Sequence, residues 1–273
     1  MKLSISDLLP YMACEYRGWA RLKTQHWTGP TDAMELGSQL HAYVASILLT
    51  GQPGPRDVFA MTMPALYKAV NDNLCPPPFE VLGVEMPLAM ACTGYELVGR
   101  LDAYVRSQGH HYSAQWKTFG RGQNLGSFLE KVRMSPHEIT YRTLLRHAGK
   151  PCDGTLLGVF RTYLNLAQRA ADVPIFELFE LQATKEEDDA AFIDIISQAD
   201  DLVETLEGRK KPRRDWSSCF SIFGNCPLLT HCHHRGDVRD CLPYPLADRY
   251  QDIGLHVPIG SASNTGQAEH SPG

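Results

Sequence analysis

The chain has 273 residues, 43% hydrophobic and 21% charged, which are ordinary values for a globular protein and allow one large domain or two small ones. Its formal net charge is −5, which excludes a surface coated in basic groups, so any nucleic-acid contact must use a local groove. No apolar run is long enough for a transmembrane helix, and Met1–Cys14 carries Asp7 inside what would be the apolar core of a secretion signal. A cytoplasmic protein without membrane contact is expected, whose eight cysteines are reduced thiols or metal ligands rather than disulfides.

In chain order, Ser4–Leu22 reads as a helix with Cys14 inside it. Asp32–Gly51 is a stronger helix. Asp32 and Glu35 suit its start and Gly51 its end, and Leu36, Leu40, Val44, Ile47 and Leu48 form the apolar stripe. His41 lies beside that stripe, as a core histidine or as a site residue, and Gly37 one turn earlier would admit a close backbone. A helix around Pro64–Asp72 precedes the Pro76-Pro77-Pro78 turn. Glu80–Met90 then reads as a strand carrying Glu85, either exposed or an extra carboxylate near a site.

Val98–Thr118 is the most informative stretch. Strands Tyr95–Val105 and Tyr112–Thr118 flank a polar turn and read as a β-hairpin. With Gln108-Gly109 as the two-residue turn, Asp102 stands opposite Gln115. Alternation puts Gln115 and Lys117 on one face and Trp116 on the other. A carboxylate with oxygen ligands suits Mg²⁺, and a nearby lysine suits a phosphate or an activated water.

Beyond the loop Gly120–Gly126, whose Arg121 either touches phosphate or is solvated, Leu125–Met134 reads as a helix. Ser135-Pro136-His137-Glu138 starts another: Ser as cap, Pro at the first helical position, Glu closing a capping box. His137 and Tyr141 share a face of it. Gly154–Tyr163 and Val173–Ala183 read as strands, and Thr184 with Glu187 caps a helix running to Gly208. The basic run Arg209, Lys210, Lys211, Arg213 and Arg214 is read as solvated, with phosphate contact the lesser alternative. Strands mixed with helices around a central hairpin give an α/β class with a mixed sheet. Residues 1–250 are expected to form one domain with its core at about 32–183, and the polar tail 251–273 to be disordered.

Cys219, Cys226 and Cys232 lie close together, spaced by seven and six positions, and Pro227 follows the second. Pro after Cys recurs in iron–sulfur loops, but three thiolates leave such a site one ligand short. Zinc is the alternative, with His231, His233 and His234 at hand.

Gly99-Arg100-Leu101-Asp102 followed by Gln115-x-Lys117-Thr118 resembles the PD-(D/E)xK nucleases, in particular the RecB-like exonuclease branch of phages and bacteria. The resemblance implies a restriction-endonuclease-like mixed sheet flanked by helices, and a metal-dependent DNA exonuclease acting in recombination, repair or phage DNA processing. It implies that Asp102 and His41 (in Gly37-x-x-x-His41) bind Mg²⁺ or Mn²⁺ and that Lys117 assists attack of water, and Glu85 on its strand is the candidate to complete that metal site. Gln115 departs from the family, which has Asp or Glu there, and offers a neutral oxygen instead. Tyr141, with His137 replacing the family's Gln, and Arg121 would contact DNA. Some members hold a 4Fe–4S cluster through one early and three late cysteines. By that resemblance Cys14 joins Cys219, Cys226 and Cys232, tying ends 1–25 and 209–241 together in a structural role. The same resemblance leaves two alternatives, an inactive DNA-binding version of the fold and a subunit of a helicase-nuclease.

Overall fold

The computed structural model describes residues 1–24, 26–27, 31–53, 64–120, 124–162, 174–215, 220–221, 224–226, 228 and 244–245. Arg121, Cys219, Cys232, the three late histidines and the tail 251–273 lie outside them. Helices and strands are numbered separately in chain order.

The hairpin forms as the turn chemistry requires. Strand β4 (Tyr95–Ser107) and strand β5 (His110–Phe119) pair antiparallel from Ser107–His110 to Ala103–Ala114. Gln108 and Gly109 both have positive φ, 50° and 86°, which a tight two-residue hairpin turn needs. Strand β3 (Glu80–Cys92) lines the opposite edge of β4, also antiparallel. Strand β6 (Gly154–Arg161) runs parallel to β5, and β7 (Phe176–Gln182) pairs antiparallel with β6. All eight residues of β6 are buried, as in a strand covered on both faces, and they include the polar Thr155 and Arg161.

A sixth strand is short enough to escape pattern reading. Strand β1 (Lys2–Ser4) lies parallel to β4, Leu3 opposite Leu97, on the same edge that β5 uses further along. Between the two partners, β4 is released from both. The sheet therefore opens over Gly99–Asp102.

The helices cover both faces. Helix α3 (Asp32–Thr50) is capped by Thr31 rather than Asp32, and ends at Gly51 in the left-handed region. Leu40, Val44, Ile47 and Leu48 bury the expected stripe against Ala103, Ala114 and Trp116, joined by α4 (Pro64–Leu74). Among the described residues nothing lies within 4 Å of a Cβ built on Gly37, so the close approach expected there is absent. On the other face, α5 (Leu125–Arg133) packs on Phe119, Leu157 and Val159, and α6 (Pro136–His147) packs through Leu144 and Leu145 on Leu88 and Leu101. Helix α7 (Lys185–Leu206), opened by the expected Thr184–Glu187 capping box, closes the layer.

Two local expectations are corrected. The first helix is broken: α1 (Ile5–Ala13) stops at Cys14, whose backbone is extended, and α2 (Glu15–Thr24) begins after it. Cys14 is thus a junction residue rather than a mid-helix one. The side chain of Glu138 does not close a capping box. Ser135 still accepts the Glu138 N–H at 3.3 Å, but the carboxylate turns inward to Thr155 Oγ1 on β6.

A buried ion network fixes α6 to α7 and β6. Arg142 grips Asp188 with two bonds of 2.6 and 2.9 Å and donates to Thr155 Oγ1 at 3.0 Å. Arg146 reaches the same carboxylate at 2.6 Å. Bidentate pairing satisfies charges that would otherwise be costly so deep in the protein. The short pair of β2 (His26–Trp27) with β10 (Tyr244–Pro245) joins an early segment to a late one, and β8 (Phe220–Ser221) pairs with β9 (Gly224–Asn225).

Candidate active site

The site forms where the sheet opens. Past Ala103–Ala114 the ladder ends, and the next facing pair would be Asp102 and Gln115. Asp102 Oδ2 instead accepts the backbone N–H of Trp116 at 3.3 Å. The same oxygen lies 3.1 Å from Nδ1 of His41, which α3 brings across from the Trp116 face. Both contacts use one oxygen of a side chain that is only 14% exposed. Burial disfavours the Asp102 carboxylate, but the charges of His41 and Lys117 outweigh it and hold its pKa below the ordinary value. Burial likewise opposes the His41 imidazolium, and the Asp102 carboxylate more than compensates, so the imidazole pKa is raised.

Lys117 and Gln115 share a face as alternation requires, and Lys117 Nζ donates to Gln115 Oε1 at 3.3 Å. Gln115 is 2% exposed, and its Nε2 is buried without a partner among the described residues. Trp116 points the other way, into the core under α3.

Glu85 sits beside this group at a cost to its own backbone. The pairs Val84–Ala103 and Met86–Leu101 set it opposite Asp102, and its φ is +51°, the left-handed region that non-glycine residues avoid. Arg100 Nε holds its carboxylate at 2.8 Å. Burial raises the Glu85 pKa, Asp102 adds to that, and Arg100 and His41 oppose it.

Helix α6 supplies the opposite wall. His137 and Tyr141 lie together, ring centroids 6.2 Å apart. Ser6 Oγ is 3.2 Å from His137 Nε2, and burial with the nearby Lys117 charge pushes the His137 pKa down to about 4, so the ring is neutral at neutral pH. The Tyr141 ring packs over Gly99, where an added Cβ would come within 2.7 Å of it. The glycine of the Gly-Arg-Leu-Asp run is thus required by an aromatic ring rather than by a turn.

Sequence reasoning missed Glu138 here. Its pKa is raised, first by burial and also by Asp102, while Lys117 and Arg142 lower it, so it faces the same charges as the hairpin residues. The only signal in the sequence was its place next to His137, and that position had a competing explanation as a cap.

An imidazole, a carboxylate and an amide oxygen around one opening are donors that suit Mg²⁺ or Mn²⁺. Among the described residues no three His, Cys, Asp or Glu side chains converge as a metal cage, and the residue that faces Asp102 on β5 is the amide Gln115. His41, Asp102, Gln115 and Lys117 are thus brought together, with Glu85, His137 and Tyr141 around them.

The basic run finds local partners. Lys210 pairs with Asp201 at 2.7 Å, Arg213 with Glu15 at 2.5 Å, and Arg214 lies 4.7 Å over the Tyr16 ring. These contacts bind the later segment to α2 and α7. The Asp215 N–H points at Cys14 Sγ, 3.5 Å away, and Cys226 packs with Leu228 against Ala20, Tyr16 and Trp19 of α2. No helix of the described residues is long and apolar enough to cross a membrane.

No family model and no curated protein matches the sequence. Among solved structures, a crystal structure of LHK-Exo in complex with dAMP aligns at 13% identity over 70% of this chain and 92% of that one, with a TM-score of 0.30 that establishes no shared fold. A candidate exonuclease from Eubacterium rectale aligns over 86% of this chain and 88% of its own, at 12% identity and a TM-score of 0.53. The chain shares its mixed α/β fold with that protein.

Proposed function

We propose that this chain is a divalent-metal-dependent DNA nuclease of the PD-(D/E)xK type that shortens DNA from its ends. The observation that carries the reading is the convergence of Asp102, His41 and Lys117 at the opening between β4 and β5. Asp102, His41 and the Gln115 oxygen would hold Mg²⁺ or Mn²⁺, with Glu85 beside them. A bound ion would polarise the phosphate and make its water a better nucleophile at neutral pH.

The chain's own residues supply the rest. Lys117, held to Gln115 on the same strand face, would hold a non-bridging phosphate oxygen with its ammonium and orient the attacking water. In the reaction the water oxygen bonds to phosphorus and gives up one proton to solvent, one phosphorus–oxygen ester bond breaks, and the leaving oxygen takes up one proton from solvent. His41 orients the Asp102 carboxylate. Tyr141 and neutral His137 form a ring surface on α6 beside the opening, suited to the sugar or base of the terminal nucleotide. Cys14 and Cys226, with Cys219 and Cys232, would carry a structural 4Fe–4S cluster. Docking of 213–215 onto Glu15 and Cys14, and of Cys226 onto α2, favours that reading, and zinc is its rival.

Gln115 favours a second reading, a DNA-binding protein on an inactive nuclease fold. Incubation of the pure protein with end-labelled single- and double-stranded DNA, with Mg²⁺, Mn²⁺ or chelator, separates the two. Metal-dependent shortening that is lost in Asp102→Ala is expected. Binding without any cutting across both metal titrations would select the second reading.

A further inference from the structure

We infer that Arg100 grips a phosphate of the bound DNA strand, and that Glu85 is the counter-ion it holds until that phosphate arrives. The inference names a residue that binds the substrate of the proposed nuclease, and it rests on that reading. Arg100 lies within the open stretch Gly99–Asp102, two residues and about 7 Å along β4 from Asp102. Glu85 stands opposite Asp102 on β3. Their ion pair therefore borders the opening, with Arg100 Nε 2.8 Å from the Glu85 carboxylate and the two side chains 29% and 30% exposed. Among the described residues Glu85 is the ion-pair partner of that guanidinium, and its two terminal nitrogens make no hydrogen bond. The arginines of α6 differ. Arg142 is held by Asp188, Thr155 and the Arg133 carbonyl, and Arg146 by Asp188 and the Cys152 carbonyl.

The backbone at Glu85 is not that of an ordinary surface pair. Its φ is +51°. Residues two apart in a regular strand share a face, yet Val84 packs into the cluster under α3 and Met86 into the one under α6. Strand β4 turns over at the same rung, with Ala103 in the first cluster and Leu101 in the second. A half-exposed ion pair adds little stability, less than a left-handed glutamate costs. Strain of that kind collects at ligand sites, and the ligand that suits this guanidinium is an oxyanion. Arginine meets a phosphate with the same paired hydrogen bonds it gives a carboxylate, so DNA can replace Glu85 in kind. The chain is acidic overall, and Lys210 and Arg213 of the basic run are paired with Asp201 and Glu15. Lys117 serves the phosphate being cut, and Arg100 takes the neighbouring one.

Binding of a fluorescent single-stranded oligodeoxynucleotide, with chelator present and no metal, tests the exchange. Arg100→Gln is expected to weaken binding about tenfold, the scale of one charge-assisted contact. It should also reduce the slope of log affinity against log salt by about 0.7, the share of one phosphate contact on a single strand. A residue that only shapes the fold would not move that slope. Glu85→Gln removes the competing carboxylate and is expected to tighten binding about fivefold. The double variant Arg100→Gln, Glu85→Gln should stay within about twofold of Arg100→Gln, because the gain runs through Arg100. Glu85→Gly suits the left-handed backbone and should tighten binding as Glu85→Gln does, so it decides the matter where Glu85→Gln does not fold. An Arg100→Gln protein with wild-type affinity and salt slope overturns the inference. So do Glu85 variants that bind no tighter than wild type, a double variant that keeps the fivefold gain and so marks Glu85 as a general repulsion, or a protein that binds no DNA in any form. Cleavage does not enter, so a protein that shows this exchange and cuts nothing with either metal overturns the nuclease reading alone.

Discussion

Asp102 accepts the backbone N–H of Trp116 at 3.3 Å, and a side chain thereby takes the place of a rung in the β4–β5 ladder. The opening of the sheet and the anchoring of its central carboxylate are one event. β5 leaves the edge of β4 at Ala103 and β1 holds that edge only up to Val98, and in the gap the Trp116 N–H is accepted by the Asp102 carboxylate. His41 then completes the hydrogen bonding of the same oxygen from the helix side.

Asp102→Asn removes the charge that raises the His41 pKa while keeping the side-chain shape. The His41 resonance in an NMR titration should move to a lower midpoint, since the Asp102 charge no longer offsets burial and the Lys117 charge. Cleavage should fall by about a hundredfold or more, as in loss of a group central to charge stabilisation. An unchanged His41 midpoint would show that the pair does not persist in solution.

Gly99→Ala places a Cβ 2.7 Å from a Tyr141 ring carbon and 3.6 Å from a Leu144 methyl. The ring must shift, at a cost of about 1–3 kcal/mol for such overpacking. Thermal unfolding and DNA affinity should both weaken, and Gly99→Ala combined with Tyr141→Ala should recover the stability lost through the clash. A variant as stable as wild type would show that Tyr141 has room to move.

Asp188 holds two arginines while itself 2% exposed. Asp188→Ala leaves both cations without their partner, and about 3–5 kcal/mol should be lost in chemical unfolding. Because Arg142 also holds Thr155, the loss should propagate to the site, with kcat falling more than the folded fraction does. Loss of stability alone, with kcat per folded molecule unchanged, would confine the network to a structural role.

The pH dependence of the early–late junction follows from Glu15. Burial raises its pKa, but Arg213 and Lys210 outweigh that and leave it below the ordinary value of 4.5. A carboxylate depressed in the folded state adds stability above its unfolded pKa and loses it as pH falls through the folded one. Wild type should therefore lose more stability than Glu15→Gln on going from about pH 6 to pH 3. Equal losses in a pair of denaturant titrations would remove the Glu15–Arg213 contact from the account.

Protein purified without oxygen should be brown and contain iron and sulfide, and Cys14→Ser or Cys226→Ser should bleach it and lower its stability, since a metal site that ties distant segments contributes folding free energy. Stoichiometric zinc in a colourless protein would select the rival metal. Persistence of the colour in Cys14→Ser would move the fourth ligand elsewhere.

The sequence by itself determined the parts of this protein that depend on local rules. The Gln108-Gly109 turn set the hairpin register, and with it the facing of Asp102 and Gln115 and the shared face of Gln115 and Lys117. The α3 stripe, the Ser135 start and the Thr184 box were equally legible, because periodicity and capping are short-range. Tertiary structure alone decided the rest. Three residues of β1 carry no pattern, yet their pairing with Glu96–Val98 bounds the opening at Gly99–Asp102 on one side, as the end of the β5 ladder bounds it on the other. His41 had an ordinary core reading until α3 crossed to Asp102. The left-handed Glu85 and the inward turn of Glu138 were hidden for the same reason. Both conformations go against local preference, and partners on other strands, Arg100 in one case and Thr155 in the other, hold them.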